Sequence, residues 1–459
     1  MMKPIKYTVS FKVLLFSQLF FTAAFITLRE SLSLYLYNKG LPLHLCYAIT
    51  TSAVSLFAIT SIGWGIFFKY LPSHKTLLKI ALLLSIIAFI LINFSSYAIK
   101  MLAVTLYVVA GSLYSLTISL LVNAHFGENH DRHQGNQAYQ LILNIGGFFG
   151  ILGIALSPIG HYKHLYFASL VMLAGTLLLF LFTANRILYI EKPDYNKWSF
   201  PILLTGLTLC SFILITYASF TRYLMILTFI ASVLYILKLA LTERNRAYLL
   251  FLMLIIFCNG VFWLSNAIFN IQFPIFLSQD VNQTFMNIHL SPLFVLVTDP
   301  LASILFGGII YYIFTGHDFN RFAMLSVAQG ILFLSIMILT IALWHAHGQV
   351  ALFWPLLTRT VFAIAEFIII TTLRAQVAEF IKETERQGFF MGMLRLSQAF
   401  SAAIAFYIAS HFTQNSLNIS TRLASDFNLY FSLSLITFSA FCIITGVWLL
   451  HRNIDKRHQ

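Results

Sequence analysis

The sequence predicts an all-α polytopic membrane protein, and three observations carry that expectation. Of its 459 residues 59% are hydrophobic and only 9% are charged, whereas about a quarter of a typical soluble chain is charged. The apolar residues come in runs long enough to cross a bilayer core as helix, which takes about 20 residues. The basic residues lie in short clusters between those runs, the pattern expected where positive charge sets topology. A water-soluble fold is therefore excluded. So is a nucleic-acid footprint for the net charge of +13, which would need Lys and Arg gathered into one patch.

Apolar runs bounded by polar turns give fourteen expected spans. The first, 12–37, follows a basic N-terminal stretch like that of a signal peptide. Its apolar run continues from Phe11 to about Tyr37 without a small-residue cleavage site, so it reads as a span. Next come 45–69, 76–96, 100–123, 137–158 and 165–190. The hydrophilic stretch Tyr189 to Lys197 closes this group, and two compact apolar helices follow at 199–219 and 222–241. "LTERNRAY" then opens the last six, at 247–277, 290–314, 321–344, 350–380, 388–412 and 427–451. An even count puts both termini on one side. If that side is the cytoplasm, it collects 19 Lys and Arg in the connections, among them Lys3, Lys69, Lys192, Arg246 and Lys382, against 5 opposite, Lys39, Lys100, Lys163, Arg222 and Arg422. This positive-inside bias sets the expected orientation.

The order six, two, six divides the chain into an N-terminal six-helix bundle at 1–190, two inserted helices with linkers at 191–246, and a C-terminal six-helix bundle at 247–459. Two six-span halves are the layout of the major facilitator fold, whose halves rock about a midplane site. Little length remains for an extramembrane domain. The cysteines Cys46, Cys210, Cys258 and Cys442 sit singly in apolar stretches without ligand or redox spacing, and read as small hydrophobes.

Polar residues inside spans are the functional candidates, because a charge at mid-bilayer costs about 2.5 to 3.5 kcal/mol on insertion scales. In "RTVFAIAEFIIITTLRAQ" the residues Arg359, Glu366 and Arg374 are 7 and 8 apart, which places them within an arc of roughly 80 degrees on a helix. A mid-depth carboxyl beside an Arg can load and release a proton as the Arg is diverted. Glu366 is thus the leading proton-coupling candidate, while Arg359, near a helix end, is expected to snorkel. Asp299 precedes Pro300 well inside "PLFVLVTDPLASILF" and is a second buried acid. Asn259, Trp263, Asn266 and Asn270 follow 4, 3, 4 spacing and form one stripe, expected to face an aqueous route. Similar stripes run through Gln18, Thr22, Arg29 and Ser33, through Ser112, Ser115, Ser119 and Asn123, and through Gln137, Gln140 and Asn144. Single amides and hydroxyls of this kind also serve simply as helix–helix hydrogen bonds.

Two further clusters read as structural. His125, Glu128, His130, Asp131 and His133 have no spacing that matches a zinc site, so a solvated loop is expected and no metal. Gly146, Gly147, Gly150 and Gly153 in "NIGGFFGILG" have the small-residue spacing that lets helices approach closely.

Several segments together resemble the proton-dependent oligopeptide transporter family of the major facilitator superfamily, in its prokaryotic branch with two helices inserted between the halves. "NQAYQLILNIGGFFG" is similar to the family's aromatic-Tyr, Ile-Asn-x-Gly signature, with Tyr139, Asn144 and Gly146 in the recognisable positions. "GVFWLSNAIFN" and "SPLFVLVTDPLASILF" resemble its Phe-Trp helix and the Asn-Pro helix that follows. "AIAEFIII" with "ETERQGFFMGMLRLSQAFS" resembles its acidic tenth core helix and the Gly-x-Met-Gly stretch. "LYLYNKGLPLHLCYAITTSAVSLFAITSIGWG" follows its first-to-second-helix pattern.

By this resemblance Glu366 falls on a glutamate that binds the peptide amino terminus and takes part in coupling, and Trp263 on the seventh-helix tryptophan. Departures are equally visible. The first-helix Glu-x-x-Glu-Arg motif falls on Gln18, Phe21 and Thr22, the fourth-helix lysine near Ser115, and the seventh-helix Glu-Gln pair near Ala267 and Ile268. Ser291 stands for the asparagine of Asn-Pro, and Lys69 for a loop acid.

The resemblance implies a secondary active transporter of the bacterial inner membrane, without a cofactor, with both termini cytoplasmic, that takes up small peptides or peptide-like and amino-acid solutes with protons and functions as a monomer. Its partners are a small-molecule substrate, protons and the lipid bilayer. Proton coupling is expected at Glu366 and Asp299. Substrate binding is expected at Arg29, Arg374, Glu366, Trp263, Asn266, Asn270, Tyr139 and Asn144, with Arg29 or Arg374 holding a carboxylate. Export or import of another anionic metabolite or siderophore is the nearest alternative. A polytopic enzyme would have only the histidine loop for its chemistry.

Overall fold

The computed structural model describes residues 8–41, 43–125, 129–156, 162–183, 197–242, 246–271, 273, 276–277, 280–282, 284–285, 288–289, 292–314, 320–346, 348–380, 387–412 and 419–458. Among them are fourteen α-helices, one for each expected span. In chain order they are α1 (Val9–Asn38), α2 (Leu43–Ile66), α3 (His74–Leu91), α4 (Tyr97–Ala124), α5 (Asn129–Leu156), α6 (Tyr162–Thr183), α7 (Ser199–Thr216) and α8 (Ala218–Thr242). There follow α9 (Arg246–Ile271), α10 (Pro292–Phe314), α11 (Arg321–Trp344), α12 (Phe353–Phe380), α13 (Gln387–Phe412) and α14 (Ile419–His458).

Nine of these helices are long and apolar enough to cross a membrane, and four shorter apolar segments lie in α2, α8, α9 and α10. Helix is the form such runs must take in lipid, because each backbone N–H and C=O finds its partner within the segment. Polar caps mark the ends where water returns. Ser73 accepts from the Thr76 N–H at the start of α3, and Asn320 accepts from the Phe322 and Ala323 N–H groups at the start of α11. Outward-facing side chains are themselves large and apolar, with Phe182 86% and Tyr312 83% exposed, an arrangement suited to lipid rather than water.

Three details differ from the sequence-based expectation. The span expected from 350 begins as helix at Phe353. Short strands occupy the neighbouring connections. β1 (Val281–Asn282) pairs in parallel with β4 (Val350–Ala351), and β2 (Thr284–Phe285) pairs antiparallel with β3 (Ile288–His289). These two-residue ladders leave no hydropathy period to detect. Finally, α14 extends over 40 residues, about 60 Å at 1.5 Å per residue, twice the thickness of a hydrocarbon core.

The chain divides into two compact units. The first is built on Lys3–Ile256 and takes in Val377–Phe400; the second comprises Phe257–Gln376 and Ser401–Gln459. In the first unit α1 packs against α5 and α6, α3 against α4, and both α7 and α8 lie on α2, with α7 also on α4. The close approach of α5 to α1 depends on glycine. A Cβ on Gly146 would sit 2.7 Å from the Leu19 carbonyl oxygen, and one on Gly150 would sit 2.9 Å from that of Ala23. The packing role expected of the glycine run therefore falls on these two positions, because a Cβ on Gly147 would meet nothing within 4 Å. In the second unit α11 lies along α14, joined by the Ser326–Thr445 hydroxyl pair at 2.6 Å.

Candidate functional site

In the first unit, polar side chains join α4 to α1 and to α5. Ser17 bonds the Tyr114 hydroxyl, and the Tyr114 ring stacks on Phe21 with centroids 3.7 Å apart. Gln18 donates to Thr22 at 2.7 Å. The first-helix stripe thus exists as a buried hydrogen-bonded row over Gln18 and Thr22, while Arg29 is farther along, more exposed, and paired with Glu30. On α5, Tyr139 is 1% exposed, and Gln140 donates to the Asn144 side-chain oxygen at 3.2 Å. Asn136 donates to Asn123 at 2.9 Å, tying α5 to α4. The fourth-helix stripe divides by role: Ser112 accepts from Thr60, Ser119 bonds its own helix at the Ser115 carbonyl, and the Ser115 hydroxyl receives an arginine.

That arginine is Arg395, on the part of α13 that belongs to the first unit. Its Nη2 donates to Ser115 Oγ at 2.8 Å, and its guanidinium lies 6.0 Å from the Phe57 ring centroid. Tyr139 and Arg29 are within its electrostatic reach. A glycine lets the helix come this close: a Cβ on Gly392 would stand 3.0 Å from the Ile62 Cα. Arg395 was not among the sequence candidates, although it lies inside the quoted stretch "ETERQGFFMGMLRLSQAFS". The signal was present. Of the 28 Lys and Arg residues, the 19 and 5 assigned to the two membrane sides leave Arg29, Arg359, Arg374 and Arg395.

In the second unit, the expectation that Arg359 snorkels is overturned. Arg359 is 2% exposed and bonds Asp299 at 2.5 Å, joining α12 to α10 across sixty residues of sequence. Its guanidinium lies 5.4 Å from the ring centroid of Phe362, 5.5 Å from that of Phe269 and 5.8 Å from that of Phe273, all within cation–π range. A side chain with a carboxylate partner and three aromatic faces has no need to reach for the interface. Asp299, the second buried acid, is thus one half of an ion pair. Its Oδ1 makes no hydrogen bond among the described residues.

Glu366 and Arg374 are half-buried on the same helix, unlike their fully buried neighbours. Eight residues separate them, about 12 Å of rise. On α9, Trp263 donates its indole N–H to Asn259 at 3.1 Å, and Asn259 and Asn266 are each 5% exposed. The predicted stripe is therefore present over Asn259, Trp263 and Asn266. The Asn270 side chain lies outside the described residues, as do those of Ser33, Glu128, His130, Asp131 and His133.

Of the histidine cluster, His125 is described. Its Nδ1 lies 2.8 Å from the Leu121 carbonyl oxygen and its Nε2 lies 2.8 Å from the Ser10 hydroxyl. The carbonyl can only accept, so Nδ1 carries a proton and donates to it. This histidine fastens α4 to α1. No group of three metal-ligating side chains occurs among the described residues.

No protein-family model matches the sequence, and no curated protein does. Solved structures do match over nearly the whole chain. A peptide transporter in complex with sulfate superposes with a TM-score of 0.76 at 16% identity, covering 97% of this chain and 96% of that one. A bacterial homologue of the human drug peptide transporters gives 0.75 at 16% identity, over 97% and 98% of the two chains. Tetrameric PepTSo2 gives 0.75 at 15% identity, over 97% and 99%. These likenesses define the fold: an all-α polytopic membrane protein of the major facilitator type, with the helical course of the peptide transporters. It is a multi-pass membrane protein.

Proposed function

We propose that this protein is a proton-coupled transporter that takes up small peptides or peptide-like and amino-acid solutes by alternating access. The observation that carries the reading is the course of the chain, shared over 97% of its length with peptide transporters, one of them a study of substrate recognition in proton-dependent oligopeptide transporters. Supporting it are the residues that differ in kind from their surroundings: Glu366 and Arg374, half-buried on an otherwise closely packed helix, and Asp299, a carboxylate held in the second unit by Arg359. Glu366 takes up and releases the coupling proton, with Asp299 as the second titrating acid. Trp263, Asn266 and Asn270 on α9, Tyr139 and Asn144 on α5, and Arg29 and Arg374 make up the substrate-binding set.

The moving parts under this reading are residues 1–190 and 247–459, with 191–246 as the inserted pair. The protein resides in the bacterial inner membrane as a functional monomer, both termini in the cytoplasm. The direct test is uptake of labelled dialanine into proteoliposomes under an inward proton gradient. Wild type should accumulate it, and Glu366→Gln should lose gradient-driven accumulation while still binding dialanine. A proton-driven rate that Glu366→Gln leaves unchanged removes Glu366 from the coupling. No accumulation by wild type with either gradient direction overturns the function.

A further inference from the structure

The cation on α13 has no role in the reading above. Arg395 is eight residues from the start of α13 at Gln387, and Ser115 is nine from the end of α4 at Ala124. Each is therefore about 12 to 14 Å inside its helix end, within the span of a hydrocarbon core about 30 Å thick. A charge kept at that depth calls for an opposite charge or a watery cavity. Among the described residues Arg395 has a hydroxyl and an aromatic ring as partners and no carboxylate. The contrast within the chain is sharp. Arg29 pairs with Glu30, Arg359 with Asp299, and Arg422 with Asp280.

We infer that Arg395 is a further anion-binding residue of this protein, presenting its guanidinium to the carboxylate of a small solute. Ser115 takes one of its five N–H donors, which leaves the fork that matches a carboxylate with two parallel hydrogen bonds. Ser115 and Phe57 both engage the planar group, so less rotamer freedom is lost when the anion arrives. The inference rests on the transport reading for the identity of the solute, but not for the presence of the anion site.

The experiment uses the full-length protein in detergent and measures ligand-induced thermal stabilisation, which follows mass action, with dialanine, dialanine amide and succinate as probes. Wild type should be stabilised by at least one of the two carboxylates and not by the amide. Arg395→Gln should weaken that carboxylate's binding by about tenfold or more, as truncating one side of a buried charge pair does, and Arg395→Lys should keep more of it. A merely structural bond to Ser115 would lower stability without changing the preference for acid over amide.

Should Arg395→Gln not yield monodisperse protein, Ser115→Asp decides, since its carboxylate would neutralise Arg395 from within and suppress anion binding equally. The inference is overturned if Arg395→Gln or Ser115→Asp binds the carboxylate as wild type does, or if neither carboxylate stabilises wild type. Succinate binding that depends on Arg395 without any dialanine binding would keep the anion site and remove the peptide reading. Dialanine uptake that is insensitive to Arg395→Gln would do the reverse.

Discussion

Arg359 and Asp299 illustrate how a single side chain is decided by what surrounds it. Taking two charges out of water costs several kcal/mol for each ion, and a close partner offsets it. Removing one member leaves the other charged and stranded, so Arg359→Ala should destabilise the protein by about 3 to 5 kcal/mol. The double variant Arg359→Met with Asp299→Leu, which replaces both charges by apolar groups of similar size, should recover much of that loss. Apparent melting temperatures of the two variants in one detergent check the order. If the single and double variants melt together, the pair does not hold α12 to α10. Arg422 and Asp280 form a more open pair, at 2.8 Å with Arg422 19% exposed. Solvent at the Arg422 end screens it, so Arg422→Ala should shift melting less than Arg359→Ala.

At the scale of helices, the α1–α5 contact depends on what a glycine omits. The Gly146 position has carbonyl oxygen and backbone atoms of α1 where a methyl would go, and Gly147, one residue on, has open space. Gly146→Ala should therefore force the helices apart and cost about 1 to 3 kcal/mol, whereas Gly147→Ala should be neutral or slightly stabilising, since alanine favours helix. Thermal melting of the two variants side by side tests this, and equal effects would mean that α5 does not approach α1 through Gly146. The glycine spacing was legible in the sequence as packing. Which of the four glycines meets a neighbour was not, because helix phase relative to another helix is a tertiary quantity. Likewise the polar stripes on α4 and α9 were visible as periodicity, while the division of Ser112, Ser115 and Ser119 among three different partners was not.

For the molecule as a whole, the proposed orientation rests on the 19-to-5 asymmetry of basic residues and is testable without a structure. Green fluorescent protein fused after Gln459 should fluoresce in a bacterial host, because it matures in the cytoplasm, and alkaline phosphatase at the same point should be inactive. The opposite pair of results would invert the topology.

Composition and hydropathy by themselves determined that this chain is a helical membrane protein with fourteen spans. In a bilayer the hydrogen-bonding demand of the backbone permits little else, and a run of apolar residues declares a span locally. They also singled out Glu366, Arg374 and the asparagine-tryptophan stripe, since polar groups in an apolar run are conspicuous one helix at a time. Partnership belongs to the tertiary structure. That Arg359 meets Asp299, and that Arg395 reaches Ser115 across 280 positions of sequence, depends on which helix faces come together. An arginine reads the same in the sequence whether a carboxylate is waiting opposite it or not.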